Sequence, residues 1–203
     1  MIRWRRWMAG AAALAGALAP LAGSPYRRAA GASPVPGLDV AGLAREVAEQ
    51  VDHVSAVELA TWIRARRPGL RVIDVRTASE YAAFHIPNAE HVPIEQLAAA
   101  QFGAGETVVL YSELGVHGGQ AWVLLRALGH RRVFFLRGGL VEWLDDVMSP
   151  TLAADAPADA QARFAAVAEL SQWFGGTPRR IAAGGTATAP EMVRETAARR
   201  RGC

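Results

Sequence analysis

The chain has 203 residues, a formal net charge of +3 and 51% hydrophobic residues. This length accommodates one ordinary globular domain with extensions, and the apolar content is sufficient for a real core. Cys203 is the only cysteine, which excludes an intramolecular disulfide and a cysteine-based zinc site.

The charge is unevenly distributed along the chain. Residues 38–150 carry ten arginines against fourteen acidic residues, whereas both ends have an excess of arginine. A nucleic-acid-binding domain normally carries a basic patch or stripe, and the acidic middle of the chain offers none. We therefore expect no nucleic-acid partner.

The first residues have the layout of a secretory signal. Three arginines stand within the first six residues, and an Ala/Leu/Gly run follows over Met8–Ala22. This run is short for a membrane span and contains Pro20. We predict that residues 1–30 are a signal peptide or membrane tether, so that the protein is periplasmic or held at the membrane. A mis-assigned start codon is the alternative, and the protein would then be cytoplasmic.

Residues 31–53 are predicted to be a linker followed by an amphipathic helix at the domain edge. A capping box formed by Ser55 and Glu58 then begins a helix, and strands alternate with helices up to Pro150. Extended segments are predicted at residues 71–75, 91–94, 107–111 and 132–136, with helices at 56–66, 77–84, 119–128 and 139–147.

This alternation predicts the fold class of residues 54–150. Short apolar strands separated by helices indicate an α/β domain with an open parallel sheet and helices on both faces. The predicted core comprises Val72, Ile73, Val75, Val108, Val109, Leu110, Trp122, Leu125, Val133, Phe134 and Phe135. Residues 151–203 are predicted to be a basic tail, helical over 159–174 and mostly flexible after it.

Two motifs in this domain resemble the signatures of the rhodanese domain family. The first is "IDVRTASEYAAFHIPNAEHVPI", residues 73–94, and the second is "LRGGLVEWL", residues 136–144. Together they are specific, although each alone would be weak. The residues that match the family motifs are Asp74, Arg76, Glu80, His85, Gly138, Gly139 and Trp143.

Each of these residues also has a structural interpretation. Asp74 and Arg76 at a strand end favour a buried ion pair that fixes the turn over a direct role in chemistry. His85 favours a hydrogen bond to the backbone over acid–base catalysis. Gly138 and Gly139 suit a tight turn from strand to helix, and Trp143 is expected in the core.

The resemblance also implies an active loop directly after the central strand. In the family this loop begins with a cysteine, and its backbone N–H groups form an anion nest that holds the thiolate and its persulfide. The corresponding residues here are Ser112, Glu113, Leu114, Gly115, Val116 and His117. Besides the serine, this chain departs from the family pattern at Phe84 and Asn88, where the family usually has glycine.

A serine at the first loop position excludes the expected sulfur transfer there. The pKa of a hydroxyl lies about six units or more above that of a thiol, and a hydroxyl cannot form a persulfide. Glu113 places a further negative charge beside an anion site. We therefore predict no catalytic residue, cofactor or metal, and a binding role towards a protein or a small anion.

Two catalytic alternatives remain open from the sequence. Ser112 and His117 could form the minimum of a hydrolase, with Glu113 as the third group. Alternatively, Cys203 or the thiol of a partner could replace the missing sulfur and make the protein a sulfurtransferase.

Overall fold

The computed structural model describes residues 39–182. Its principal sheet has five parallel strands in the order β1-β5-β4-β2-β3. These strands are β1 (His53–Val54), β2 (Leu70–Asp74), β3 (Ala89–His91), β4 (Thr107–Tyr111) and β5 (Val133–Leu136).

Helices flank these strands. They are α1 (Val40–Ala48), α2 (Ala56–Arg64), α3 (Ala78–Ala83), a 3₁₀ helix (Ile94–Ala99), α4 (Val116–Ala127) and α5 (Gly139–Glu142), which continues as a π-helical segment over Trp143–Met148. A two-stranded sheet, β6 (Thr151–Ala153) and β7 (Arg179–Ile181), brackets α6 (Ala158–Trp173). The predicted α/β fold with a parallel sheet is confirmed.

Alternate residues of the central strands enter two hydrophobic clusters. Val72 and Val109 belong to the cluster that contains Leu59 of α2 and Trp143. Ile73 and Leu110 belong to the cluster that contains Trp122 of α4. Successive side chains of a strand point to opposite faces, so both faces of the sheet are covered by helices, as predicted.

Nine of the eleven predicted core residues are buried, but Phe134 and Phe135 are only half-buried. The reason is their position in β5, which is flanked on one side by a strand of two residues, β1. Phe134 meets the edge of the Trp62 ring, and Phe135 lies against His53. Phe134 and Phe135 were predicted to be fully buried because the sequence did not reveal this short edge strand.

The boundaries of two elements also differ from the prediction. The second extended segment lies at 89–91 rather than 91–94, and a 3₁₀ helix begins at Ile94. Helix α4 begins at Val116 rather than Gly119, because Gly115 takes a left-handed conformation (φ +81°) that turns the chain into the helix. Gly118 and Gly119 therefore lie within the helix.

The segment after Pro150 is more ordered than predicted. The predicted helix is present as α6, and its Leu170 lies in the same cluster as Trp143. Within the segment predicted to be mostly flexible, residues 179–181 form β7. The rings of Trp143 and Phe174 pack edge to face, with their centroids 5.0 Å apart.

Several predictions concern residues outside 39–182. The signal or tether at 1–30, most of the linker, the terminal arginines and Cys203 lie beyond the described residues and stay predictions. Within the described range, no helix is both long enough and apolar enough to cross a membrane.

Candidate functional site

The loop that begins at Ser112 forms the floor of a cleft at the carboxyl edge of the sheet. The cleft has a volume of about 900 Å³. Three chain segments line it, namely the turn after β2, the passage from β3 into the 3₁₀ helix, and the loop from Ser112 to His117. Parallel strands bring these segments together because their carboxyl ends share one edge.

Ser112 is buried, with 2% of its surface exposed. Its Oγ accepts a hydrogen bond from the Gly118 N–H at 3.2 Å. Gly118 lies in the first turn of α4, where N–H groups have no partner within the helix and favour electron-rich groups. In the described structure, the Gly118 N–H is the backbone group of this turn that lies within hydrogen-bonding distance of Ser112 Oγ.

His117 lines the cleft but does not pair with Ser112. No hydrogen bond joins the two side chains in the described structure, and the Ser112 hydroxyl interacts with the helix backbone instead. Glu113 does not orient His117 either, because its carboxylate points to Arg76. The arrangement of a serine hydrolase, in which a base contacts the nucleophile and an acid contacts the base, is therefore not assembled.

The second signature, residues 136–144, binds the backbone of the loop through hydrogen bonds. The Leu140 N–H donates to the Ser112 carbonyl at 2.8 Å, and the Val141 N–H donates to that of Glu113 at 3.1 Å. Gly139 has φ +62°, and a Cβ there would collide with the Ser112 carbonyl oxygen and lie 2.8 Å from that of Glu113. Only glycine permits this close approach of two backbones. Gly138 (φ +64°) begins the same turn.

Asp74 and Arg76 form the buried ion pair that the sequence favoured. Asp74 is fully buried, and Arg76 donates to it through Nε (3.0 Å) and Nη2 (2.6 Å). Arg76 Nη2 also donates to the Phe84 carbonyl at 2.6 Å, and Nη1 donates to Glu113 Oε2 at 3.1 Å. Burial is the largest influence and opposes the charge on Arg76, but Asp74, with smaller contributions from Tyr111 and Glu113, raises the pKa of Arg76 above its ordinary value.

The two departures from the family pattern fit the local backbone. Asn88 has φ +64°, a left-handed conformation that asparagine tolerates better than most side chains. Phe84 has an extended backbone (φ −165°), which any residue can adopt, and its side chain packs on the cluster that contains Trp143. Neither replacement disrupts the fold.

The remaining motif residues have structural roles. Glu80 and Thr77 form a reciprocal capping box at the start of α3. His85 Nδ1 lies 2.9 Å from the Tyr81 carbonyl oxygen, and its ring stacks on Tyr81. Trp143 is fully buried, as predicted.

Tyr111, the last residue of β4, connects the first signature to the central strand. Its hydroxyl accepts the Ile86 N–H at 3.1 Å. Burial, followed by the nearby charge of Asp74, raises the pKa of Tyr111, so the phenol stays neutral. Sequence analysis missed this residue.

Sequence analysis also missed much of the cleft wall. His91, Glu95 and Gln96 line the cleft, together with Thr77 and the motif residue Glu80. The available signal was topological, because these residues lie at or just after the carboxyl ends of β2 and β3, on the same edge of the sheet as the loop. In the described residues, no group of three or more His, Cys, Asp or Glu side chains could hold a metal ion.

Comparison with known proteins agrees with this architecture. The model of the family described as "Rhodanese-like domain" matches residues 55–146. A protein of Allochromatium vinosum named "Sulfurtransferase" is 32% identical over 74 residues, which are 36% of this chain and 69% of that protein. An uncharacterized protein of Synechocystis is 34% identical over 74 residues, again 36% of this chain but 41% of that protein. The chain therefore spans less than half of the Synechocystis relative.

Solved structures also match. The solution structure of a rhodanese-like domain from Anabaena is 30% identical, with a TM-score of 0.43, and the match covers 45% of this chain and 72% of that one. A rhodanese-like domain protein from Staphylococcus aureus is 26% identical, with a TM-score of 0.43, and the match covers 47% of this chain and 93% of that one.

Proposed function

The chain belongs to the rhodanese-like domain family through residues 55–146, and from that premise we propose that it is a non-catalytic member of the family. It acts as a binding module for a protein partner or a small anion in the cell envelope. The observation that carries this proposal is the buried hydroxyl of Ser112 at the position of the family's cysteine. A hydroxyl there can hold the loop in place but cannot carry sulfur.

The surroundings of Ser112 support a binding role. The cleft remains open, so a ligand can reach the loop. Leu114 and Val116 line it and are 58% and 65% exposed. Exposed apolar side chains grouped beside a cleft are common where proteins bind other proteins.

The location in the cell envelope is proposed from the sequence of residues 1–30. Cell fractionation and N-terminal sequencing of the native protein test it directly. A protein that lacks these residues or sediments with membranes supports the proposal. An intact chain that begins at Met1 and stays in the cytoplasmic fraction refutes it.

The alternative is a sulfurtransferase that uses Cys203 or the thiol of a partner. The name of the Allochromatium relative favours this alternative. Turnover of thiosulfate and cyanide by the full chain separates the two proposals. A non-catalytic module gives no thiocyanate above the uncatalysed rate, whereas turnover that disappears in Cys203→Ser establishes the alternative.

Binding of a protein at the cleft is tested with two matched variants. Leu114→Ser alters an exposed leucine beside the cleft, and Leu128→Ser alters one that follows the far end of α4 and is 55% exposed. Proteins cross-linked to the wild-type chain in an envelope fraction should be lost with Leu114→Ser and retained with Leu128→Ser. Equal retention by both variants would contradict binding at this cleft.

A further inference from the structure

Glu113, a residue of the loop, forms a second ion pair with Arg76, a buried cation that already pairs with Asp74. The Asp74 carboxylate accepts from two nitrogens of the Arg76 guanidinium. That pairing uses Nε and Nη2 and leaves Nη1 for another acceptor. The carboxylate of Glu113 lies 3.1 Å from Arg76 Nη1, and its side chain is only 11% exposed.

The two carboxylates differ in position. Asp74 is fully buried beneath the turn after β2, whereas Glu113 lines the cleft beside Ser112. Burying a carboxylate is costly unless a strong partner compensates for the lost hydration. Glu113 obtains that compensation from a guanidinium, the group that proteins most often use to bind oxyanions.

The surroundings of the Glu113 carboxylate are those of an oxyanion site. Arg76 Nη1 provides a charged donor, and the first turn of α4 begins three residues after Glu113. The N-terminus of a helix favours negative charge. The Glu113 side chain thus lies where a free anion would pair with Arg76.

We propose that Glu113 is a tethered ligand of this chain, which occupies an oxyanion site on Arg76 and excludes free sulfate, phosphate or carboxylate from the cleft. This inference rests on the proposed function, since it assumes that the loop binds rather than catalyses. It also refines that function. While Glu113 stays on Arg76, the cleft takes a protein partner rather than a small anion.

A second carboxylate in the cleft provides the matched control. Glu95 is exposed, lines the same cleft and has no hydrogen bond to Arg76. Removal of either carboxylate, Glu113 or Glu95, makes the net charge of the cleft one unit less negative. Only the removal of Glu113 also frees Arg76 Nη1. The two variants therefore distinguish direct competition for Nη1 from long-range repulsion of the anion.

The experiment is calorimetric titration of the full chain with sodium sulfate at constant ionic strength. We expect Glu113→Ala to bind sulfate at least about tenfold more tightly than wild type. Glu113→Gln should gain about threefold or more, because its amide oxygen still competes for Nη1. Glu95→Gln should stay within about twofold of wild type.

Two results would overturn the inference. One is sulfate binding by both Glu113 variants that is no tighter than in wild type. The other is an equal gain in Glu95→Gln. If Glu113→Ala does not fold, the isosteric Glu113→Gln decides alone. Thiosulfate turnover by the wild-type chain would instead refute the proposed function, and the titration does not depend on that result.

Discussion

At the scale of single residues, the hydroxyl of Ser112 stands where the family has the thiol of a cysteine. Ser112 retains the burial and the Gly118 hydrogen bond that suit an electron-rich atom at the start of a helix. It lacks the low pKa and the sulfur chemistry of a thiolate. Under the proposed function, the loop keeps its backbone conformation and binds rather than transfers sulfur.

The first prediction concerns the thiol pKa in Ser112→Cys, studied with Cys203→Ser to remove the other thiol. The Gly118 N–H and the α4 N-terminus favour the thiolate, so its pKa should lie below that of an ordinary cysteine, about 8.5. Adding Glu113→Gln should lower this pKa further, because it removes a nearby negative charge. The rate of alkylation by iodoacetamide against pH measures both values.

An ordinary or raised thiol pKa would show that the loop no longer favours negative charge. Binding of an anion at the loop would then have to be abandoned in favour of a purely protein-binding role.

The second prediction concerns the pH dependence of stability. Burial raises the pKa of Asp145 above its ordinary value, so the folded state disfavours the carboxylate. This group contributes most to stability below its unfolded-state pKa of about 3.9, and the contribution is lost as the pH rises through the folded-state pKa. Asp145→Asn should therefore raise Tm at pH 7, by an amount on the order of 1 °C, and should change it little at pH 3.

Thermal unfolding followed by circular dichroism at the two pH values measures this difference. Asp159→Asn is the control, since Asp159 is exposed and pairs with Arg163 at 2.7 Å. Its replacement should give no gain at pH 7. A gain in Asp145→Asn that is as large at pH 3 as at pH 7 would exclude the proposed cause.

At the scale of elements, the site depends on two turns that meet. The left-handed Gly115 begins α4, and the left-handed Gly138 and Gly139 begin α5 beneath the loop. The loop from Ser112 to His117 and the second signature are separated in the sequence, but the pairing of β4 with β5 makes them neighbours. This contact explains why the Gly-Gly pair accompanies the loop.

The third prediction tests this contact with Gly139→Ala. The added Cβ would overlap the Ser112 carbonyl oxygen in a backbone conformation that alanine disfavours. We expect the free energy of unfolding to fall by about 3 kcal/mol or more. Urea denaturation measures it, and Gly105→Ala is the control because a Cβ there meets nothing within 4 Å. Equal effects of the two substitutions would contradict the packing described for Gly139.

Sequence reasoning succeeded for elements that have a strong local pattern. The apolar run Val108–Leu110 and the N-cap residue Ser55 specify a buried strand and a helix start without help from distant residues. It failed for β1 and β7, which contain two and three residues and depend on their partners for hydrogen bonds. No periodicity can be read from so few residues.

In the candidate site, too, the sequence predicted features that depend on local motifs but not contacts between distant residues. The motifs placed Asp74, Arg76 and the loop at one edge of the sheet, and the pairing of Asp74 with Arg76 was foreseen. The bond from Arg76 to Glu113 was not, because two residues 37 positions apart meet only through the strand order. The sequence places the Glu113 charge beside the loop but does not connect it to Arg76.

At the scale of the whole molecule, the family domain and the segment after it share one hydrophobic cluster. The family model ends at residue 146, but Leu170 and Phe174 pack beside Trp143. Residues 151–181 thus contribute to the fold and are not merely a linker. The cleft and α6 belong to one structural unit.

The fourth prediction tests this extension of the core. Leu170→Ala removes a buried side chain and should lower the free energy of unfolding by about 3 kcal/mol. Leu128→Ala, at an exposed leucine outside both clusters, should change it by less than about 0.5 kcal/mol. Equal effects in urea denaturation would mean that α6 is not part of the cooperative unit.

The central claim, that this rhodanese-like chain does not carry sulfur, is tested most directly by intact-protein mass spectrometry. The full chain is incubated with thiosulfate under non-reducing conditions and measured before and after the addition of cyanide. We predict no mass increase, because Ser112 cannot form a persulfide. An added sulfur atom that cyanide removes as thiocyanate, and that is absent from Cys203→Ser, would contradict the account.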